Sequence, residues 1–394
     1  MPETQKDIKI LTHFSPEQQM LISTLHEQGE DTVKALILKG LDWNYILNTA
    51  NEHGIIPLLY SKLKSLSIGN IPLNELKTLY LRNLQKNMAM TKAILETTEA
   101  LETHGIRAVP FKGPVLSQQL YHDIGLRQSA DIDLLIFKEH YNKAKEILLA
   151  RGYEPQFKLN RRQEFEFLRY RYEMPFIHKA TGLNIELHWN IAQSFFHFDL
   201  YRSGLWERLQ PTAFAGKTVF SFSTEDMLLY LCFHGSKHGW ERLSWIYDIM
   251  KIIKTWPLDW QYLLRKSDEL DSRKHLLLGL HLAALLWEAE IPSSASEKIE
   301  EDPQLSALAL YVLDGLFREG PKRSAVSNTI EYRLRLLKKN KHKLNHLLHK
   351  LFVPRLPDWE TISLPDRLYF LYYFIRPLRL LLLNTTGLSK KKDD

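Results

Sequence analysis

The sequence predicts an α+β fold, in which a small mixed β-sheet core is flanked by N-terminal and C-terminal helical regions. In the first hundred residues, apolar side chains recur at three- and four-residue steps, as on one face of a helix. After Gly105, short apolar runs bounded by turn residues replace that period, which is typical of β-strands. From residue 224 to 350 the helical period returns.

The length of 394 residues allows two or three compact units, because single cores usually stop growing at about 250 to 300 residues. The changes of period divide the chain into four predicted parts. They are a helical N-terminal region at 1–104, an α+β core at 105–222, a helical domain at 223–350, and a C-terminal helical segment with a basic tail at 351–394.

The N-terminal helices are predicted from the apolar periods at 46–50 and 58–63, which Gly54 and Pro57 separate. A longer helix should cover about residues 76–104, with Gly105 as its C-terminal cap. In the later helical region, Ser223 precedes an acidic first turn and predicts a helix start.

The core elements follow in the order strand, turn, helix, strand. The predicted elements are a strand at 108–111, a turn at Gly113-Pro114 that opens a helix, a strand at 131–137, a helix at 138–150, and a hairpin of strands 172–178 and 184–191. The run DIDLLIF at 131–137 becomes continuously apolar, as in a central strand.

Composition excludes several classes of protein. Hydrophobic residues make up 44% and charged residues 25%, which indicates neither disorder nor a coiled coil. The net charge of +6 favours a polyanionic ligand such as a nucleotide, but it is too small to indicate nucleic acid. A single cysteine, Cys232, cannot form a disulfide framework and is expected to be a buried, inert thiol. The N-terminus lacks the layout of a signal peptide, so we expect a cytoplasmic protein.

The apolar segment 368–383 is interrupted by Arg376, Pro377 and Arg379, so no transmembrane span is predicted. We expect a core-packed helix that breaks at Pro377. Peripheral membrane contact is the alternative, because these arginines and the lysines at 390–392 could lie near anionic lipid.

Two carboxylates in the strand at 131–137 indicate a metal site. Asp131 and Asp133 are two residues apart, so both side chains point to the same face. Like charges this close repel each other unless a cation neutralises them. Mg²⁺ prefers oxygen ligands and often links carboxylates to substrate phosphates. A solvated pair of acids is the alternative interpretation.

Glu186 is the third candidate. In residues 184–189 the alternation places Glu186 and His188 on one face and the apolar residues on the other. If this strand lies beside the first, Asp131, Asp133 and Glu186 converge, as in two-metal phosphoryl transfer. The alternative is an edge strand in which Glu186 faces water.

Basic groups near these acids are candidate nucleotide contacts. Lys112 and Gly113 lie where a strand meets a helix, and backbone N–H groups at a helix start can hold a phosphate. Arg127 could reach a phosphate or form a structural salt bridge with a carboxylate.

The stretch 234–248 supplies a second set of candidates. On a continuous helix one polar stripe would form, made of His234, Lys237, His238, Glu241, Trp245 and Asp248. Lys237 could contact a phosphate, and a histidine such as His238 could assist proton transfer near neutral pH. Packing of this stripe against the core, without chemistry, is the alternative.

Three of these features, in this order, resemble the DNA polymerase β-like nucleotidyltransferase superfamily. They are Phe111-Lys112-Gly113, then Arg127 four residues before Asp131-Ile132-Asp133, then Glu186 inside an apolar strand. More narrowly, the chain is similar to a set of bacterial nucleotidyltransferase-family proteins. Further features shared with that set are Trp43 with Ala50, His53-Gly54, the stretch 234–248, Leu364-Pro365 and Ile375-Arg376-Pro377.

The resemblance implies metal binding by Asp131 and Asp133, with Glu186 completing the triad. We therefore expect a Mg²⁺-dependent enzyme, with Mn²⁺ as an alternative ion, that transfers a nucleoside monophosphate from an NTP. ATP is the expected donor, and a small molecule or peptide is favoured over nucleic acid as the acceptor. The alternatives are a phosphotransferase that uses the same acids and an inactive binding protein. Pro114 departs from the usual Gly-Ser or Gly-Gly turn and removes one backbone donor.

Overall fold

The computed structural model describes residues 13–66, 68–69, 71–318 and 329–386. The first helices are α1 (Pro16–Leu25), α2 (Glu30–Leu38), α3 (Trp43–Glu52), α4 (Ile56–Leu63) and α5 (Leu73–Glu102). The predicted long helix therefore starts three residues earlier than expected. Beyond it, Gly105 has a φ of +75°, the left-handed conformation that favours glycine after a helix.

The central part of the chain combines strands and helices. Its elements are β1 (Val109–Pro110), α6 (Gly113–Tyr121), β2 (Ile132–Leu135), α7 (Tyr141–Ala150), β3 (Tyr153–Pro155), α8 (Arg161–Tyr170), β4 (Glu173–His178), β5 (Asn184–His188), β6 (Gln210–Phe214) and β7 (Lys217–Ser221). The strands and helices expected between 108 and 191 are all present, with shorter strands than predicted.

Helices again dominate after β7. They are α9 (Thr224–Lys237), α10 (Leu243–Thr255), α11 (Trp260–Glu269), α12 (Arg273–Trp287), α13 (Ser293–Glu300), α14 (Pro303–Leu316), α15 (Ile330–Leu336), α16 (Asn340–Phe352), α17 (Leu356–Thr361) and α18 (Tyr372–Thr386). The helix start expected at Ser223 is confirmed, because the Ser223 hydroxyl accepts the N–H of Asp226 at 3.2 Å.

A five-stranded mixed sheet forms the centre, in the order β1-β2-β5-β4-β3. β2 and β5 are parallel, and the other neighbours are antiparallel. The predicted hairpin is β4–β5, whose turn contains Gly182 at a φ of +69°. The predicted α+β class and the small mixed sheet with helical flanks are thus confirmed. β6 and β7 form a separate hairpin.

Two hydrophobic cores lie on opposite faces of the sheet. Ile132, Leu134, Ile185 and Leu187 pack into one core with α5, α7 and the C-terminal segment. Leu135 belongs to the other core, which joins the N-terminal helices α1–α4 to the helices α9–α14. The polar face of β2 and β5 is therefore directed towards the helical region. Burial raises the pKa of the Cys232 thiol in that core, in line with an inert cysteine.

The predicted helix break at Pro377 is wrong. Pro377 lies inside α18, which continues to Thr386. Arg376 and Arg379, on either side of the proline, donate hydrogen bonds to the same buried carboxylate, Asp358, at 2.8 and 2.6 Å. These two hydrogen bonds hold the residues on both sides of Pro377 to Asp358. The helix therefore continues although Pro377 cannot donate a backbone hydrogen bond.

The expectation that this helix is packed into the core holds for one side only. Leu378 and Leu381 are 60% and 62% exposed. The lysines at 390–392 lie outside the described residues. Within the described ranges, none of the helices has both the length and the apolar character that crossing a bilayer requires.

Candidate active site

The parallel pairing of β2 with β5 places Asp133 directly opposite Glu186. Since side chains alternate along a strand, Ile132 and Leu134 point into a core while Asp133 leaves the opposite face. Register partners share a face, so Glu186 points the same way. Two of the three predicted acids thus meet on adjacent strands.

Asp133 is a buried carboxylate with internal basic partners. Lys112 Nζ lies 2.6 Å from Asp133 Oδ1, and His188 Nε2 lies 3.1 Å from the same oxygen. Burial opposes the charged form of Asp133, but the Lys112 ammonium and the His188 hydrogen bond outweigh it and lower the pKa of Asp133 to about 2. The second oxygen, Oδ2, is buried and has no hydrogen-bond partner among the described residues.

Asp131 precedes β2 and lines the same cavity as Asp133 and Glu186. Burial, followed by the charges of Asp133 and Glu186, raises the pKa of Asp131 to about 7. Three carboxylates thus lie beside two basic side chains, Lys112 and His188, and their negative charges are not fully balanced. A cation bound among them would relieve this repulsion.

His188 and Glu173 extend the acidic cluster. Glu173 on β4 is the register partner of His188, and its Oε2 lies 3.3 Å from His188 Nδ1. Burial would lower the pKa of His188, but the charge of Glu173 and the hydrogen bonds to Asp133 and Glu186 raise it to about 9. The raised pKa favours the imidazolium form of His188, whose Nε2 donates to Asp133 Oδ1 at 3.1 Å.

The residues present fit a divalent cation. Ligand atoms of Asp133, Glu186 and His188 lie within 4.8 Å of one another. The buried, unpartnered Asp133 Oδ2 offers a free acceptor beside them. Carboxylate oxygens suit a hard cation such as Mg²⁺. A protonated His188 cannot be a ligand, and it serves the cluster as a hydrogen-bond donor unless a bound ion displaces its proton.

The turn before α6 carries Lys112, Gly113 and Pro114. Gly113 has a φ of +59°, a conformation that strongly favours glycine. The early helical position expected for Pro114 is confirmed. Because Pro114 has no N–H, Gly113 and Val115 supply the first backbone donors of this helix. Lys112 forms an ion pair with Asp133, which links the turn to the acidic cluster.

Of the two roles considered for Arg127, a phosphate contact or a structural salt bridge, the structure shows a salt bridge with Asp248. Arg127 Nε donates to Asp248 Oδ2 at 2.9 Å, and the Tyr121 hydroxyl donates to Asp248 Oδ1 at 2.7 Å. All three side chains are largely withdrawn from solvent. The pair joins the segment before β2 to α10, and Arg127 also lines the cavity beside the acids.

Residues 234–248 do not form the continuous helix on which the stripe was conditional, but two helices joined by a turn. α9 ends at Lys237, and Gly239 and Trp240 have φ values of +63° and +54° before α10 begins at Leu243. The Trp240 ring folds back against Gly235, where an added Cβ would lie 2.4 Å from the ring. Only glycine at 235 leaves room for this ring. The chain therefore turns at Gly239 and Trp240 and does not continue as a helix.

The turn nevertheless keeps the predicted polar stripe on one wall of the cavity, except for Asp248, which pairs with Arg127. Burial lowers the pKa values of His234 and His238 well below 6.5, so both rings are neutral. Trp245 lies 5.0 and 5.7 Å from them, between ring centroids. Lys237 Nζ donates to the Tyr172 hydroxyl at 2.6 Å, and burial lowers the pKa of Lys237 to about 8.

One cavity of about 1120 Å³, including its open mouth, brings all of these groups together. The eight predicted site residues line it: Asp131, Asp133, Glu186, Lys112, Gly113, Arg127, Lys237 and His238. The acids lie on the sheet side, and the neutral aromatic rings lie on the side of α9 and α10. The arrangement can hold a cation, an anion and a flat ring in one space.

Four further residues adjoin the predicted set: His188, Glu173, Tyr172 and Tyr230. The strand alternation placed His188 on the face of Glu186 but gave it no role in the site. Glu173 could not be predicted, since its contact with His188 depends on the β4–β5 register. Tyr230 adds an aromatic ring 5.8 Å from Lys112 Nζ, a contact across more than a hundred residues of sequence.

Comparisons with known proteins bear on the family of the chain. A solved structure, described as an antigenic nucleotidyltransferase-like protein from Paracoccidioides brasiliensis, aligns with 56% of this chain and 92% of its own, at 15% identity and a TM-score of 0.33. No curated protein sequence matches the chain. The profile of a family described as uncharacterised nucleotidyltransferase matches residues 39–288, which include the sheet, the acids and the wall of α9 and α10. The chain belongs to this nucleotidyltransferase family.

Proposed function

We propose that this protein is a Mg²⁺-dependent nucleotidyltransferase that moves a nucleoside monophosphate from an NTP, with ATP as donor, to a hydroxyl or phosphate acceptor. The observation that carries the proposal is the register pair Asp133 and Glu186, which faces a cavity with Asp133 Oδ2 unpartnered. Buried carboxylates without full pairing are costly unless a ligand completes them.

Asp131, Asp133 and Glu186 would hold the ion. A bound divalent ion would supply charge stabilisation at the triphosphate and lower the pKa of an attacking hydroxyl. Asp133 contributes its free oxygen, and Asp131, with a pKa near 7 without the ion, would release its proton when the ion binds. Glu186 is the most solvent-accessible of the paired acids, with 21% of its side chain exposed, and can take up the acceptor proton.

The phosphates would lie between the acids and the turn before α6. Gly113 begins this helix and lines the cavity, so its N–H would be the backbone donor to a phosphate oxygen. Lys112 and Lys237 add positive charge at the two sides of the cavity. With its pKa lowered to about 8, Lys237 would become fully protonated beside a phosphate.

The base would lie against the aromatic wall. Trp245 and the neutral rings of His234 and His238 offer flat surfaces and hydrogen-bonding nitrogens. The remaining space is enclosed by helices on one side, which favours a small molecule or a peptide segment as acceptor over a long nucleic acid.

The position of a radioactive label tests the reaction. The purified protein is incubated with Mg²⁺ and either α-labelled or γ-labelled ATP together with candidate acceptors. Nucleotidyl transfer places the α-label on the product and releases pyrophosphate. Asp133→Asn should abolish this transfer while circular dichroism remains unchanged. Transfer of the γ-label would identify a phosphotransferase instead, and full activity of Asp133→Asn would refute the site.

A second candidate is a nucleotidyltransferase-fold binding protein without activity. It is favoured by one observation: Lys112 and the His188 imidazolium already neutralise Asp133 without an ion. Calorimetric titration with a non-hydrolysable ATP analogue separates the two functions. The enzyme should bind the analogue only when Mg²⁺ is present, whereas a protein of the second kind should show no dependence on Mg²⁺.

A further inference from the structure

Helix α16 packs against the protein with its polar side. Its buried residues include His342 and His346, which are 8% and 1% exposed. On the opposite side of the same helix, Leu344 and Leu348 are 58% and 46% exposed, and Leu351 is 41% exposed. A helix at the surface of a water-soluble domain normally shows the reverse arrangement.

The inward direction of the histidines is fixed by specific contacts. His342 Nδ1 forms an ion-pair contact with Asp271, and its ring stacks on that of His197 with centroids 3.6 Å apart. His346 packs against Phe195, with centroids 5.0 Å apart. These contacts leave the leucine side of α16 directed outwards.

Helix α18 repeats the inversion. Arg376 is 1% exposed and binds Asp358, which is itself fully buried. Phe374, Leu378 and Leu381, on the opposite side, are 64%, 60% and 62% exposed. Arg376 Nε also donates to the carbonyl of Lys350 at 3.0 Å, which joins α18 to α16.

The charge of the chain is concentrated around these two helices. Residues 338–386 contain nine basic and three acidic residues, a net charge of +6, which equals that of the whole chain. The rest of the sequence is therefore neutral overall. Lys338, Lys339 and Lys341 are exposed at the start of α16. Exposed apolar residues and excess positive charge thus occur in the same 49 residues.

We propose that α16 and α18 bind an anionic membrane surface. Their outward apolar side chains, hereafter the outer leucine set (Leu344, Leu348, Leu351, Phe374, Leu378 and Leu381), would enter the boundary between headgroups and acyl chains. The lysines at 338–341 would lie among the anionic headgroups. This binding removes apolar surface from water, and the neighbouring basic residues match the charge of the lipid. The surface lies outside the family-matched residues 39–288, so it is independent of the catalytic proposal.

Co-sedimentation with lipid vesicles tests the apolar part of the proposal. The full chain is mixed with vesicles of phosphatidylcholine alone or of phosphatidylcholine with phosphatidylglycerol. It should bind the anionic vesicles, and Leu348→Glu with Leu378→Glu should weaken that binding by at least about tenfold. Leu38→Glu is the matched control, since Leu38 is 79% exposed on α2, and it should bind like the unmodified chain.

The basic part is tested by Lys338→Glu, Lys339→Glu and Lys341→Glu together, which should remove the preference for anionic vesicles. If this variant bound anionic vesicles as strongly as the unmodified chain does, the role given to the lysines would be overturned. Failure of the unmodified chain to bind anionic vesicles would overturn the proposal as a whole. So would light scattering that shows a dimer dissociated by Leu348→Glu, because a second copy would then cover the outer leucine set.

Discussion

Asp133 and Asp358 are both buried aspartates with basic partners, yet they differ in one respect. Asp358 accepts from Arg376 Nη1, Arg379 Nε and the Arg355 backbone N–H, so both of its oxygens are engaged. Asp133 has one oxygen engaged by Lys112 and His188 and one buried oxygen without a described partner, beside a cavity. Burial of a carboxylate therefore does not by itself identify a functional site. What sets Asp133 apart from Asp358 is an unpaired oxygen on the wall of a cavity that two further acids share.

The largest expected effect is the loss of folding stability when the fully paired aspartate, Asp358, is replaced. Asp358→Asn removes the negative charge that neutralises Arg376 and Arg379. It should lower the free energy of unfolding by about 3 to 5 kcal/mol. Asp133→Asn should cost less than about 2 kcal/mol, because Asp131, Glu186 and Glu173 remain near Lys112 and His188. Urea unfolding of both variants measures the difference. Equal losses would contradict the comparison.

The incompletely paired cluster should instead control activity. Glu186→Gln removes a proposed ion ligand and proton acceptor, and we expect turnover to fall at least about a hundredfold. Glu154→Gln is the control, because Glu154 is an exposed residue that pairs with Lys179 at the edge of the sheet. Release of pyrophosphate provides the measurement. If both variants kept normal turnover, Glu186 would have no part in the reaction.

A buried neutral histidine, His275, should make the helical region sensitive to acid. Burial lowers the pKa of His275 to about 4, below its value of about 6.5 in an unfolded chain. Between these values the unfolded state binds more protons, so stability is complete above about pH 6.5 and falls as the pH drops towards 4. The loss for His275 should be about 2 kcal/mol at pH 5.

Unfolding in urea at pH 7 and pH 5 measures this loss. His275→Gln should reduce the dependence on pH, whereas the same change at the exposed His104 should not. An unchanged dependence in His275→Gln would show that other groups titrate in its place.

The smallest expected effect concerns the aromatic wall. Trp245→Ala should weaken ATP binding by about 1 kcal/mol, since stacking of a ring contributes roughly this amount. Binding of inorganic tripolyphosphate should not change, because it has no base. Calorimetry with both ligands tests the assignment. Equal weakening of both ligands would mean that Trp245 shapes the phosphate region and not the base site.

Strand periodicity predicted which face of its own strand Asp133 and Glu186 occupy, because β2 and β5 follow a period of two. It could not show that the two strands are neighbours, which brings the acids together, or that Asp131 lies just before β2. The turn at Trp240 could not be predicted, since its ring needs the space left by Gly279, which is 39 residues further along the chain. The sequence also does not show which side of α16 faces the core. Helical period alone does not tell which side of a helix faces the core when buried histidines have aromatic and acidic partners.

The parallel neighbours β2 and β5 have a further consequence for selectivity. Adjacent strands are held about 4.8 Å apart by their backbone hydrogen bonds, so the backbone positions of the two opposed acids are set by the sheet and not by loops. A rigid backbone at this point limits how far the two carboxylates can move apart around a larger ion. Ions with short metal–oxygen bonds of about 2.0 to 2.1 Å, such as Mg²⁺, should therefore be preferred over Ca²⁺.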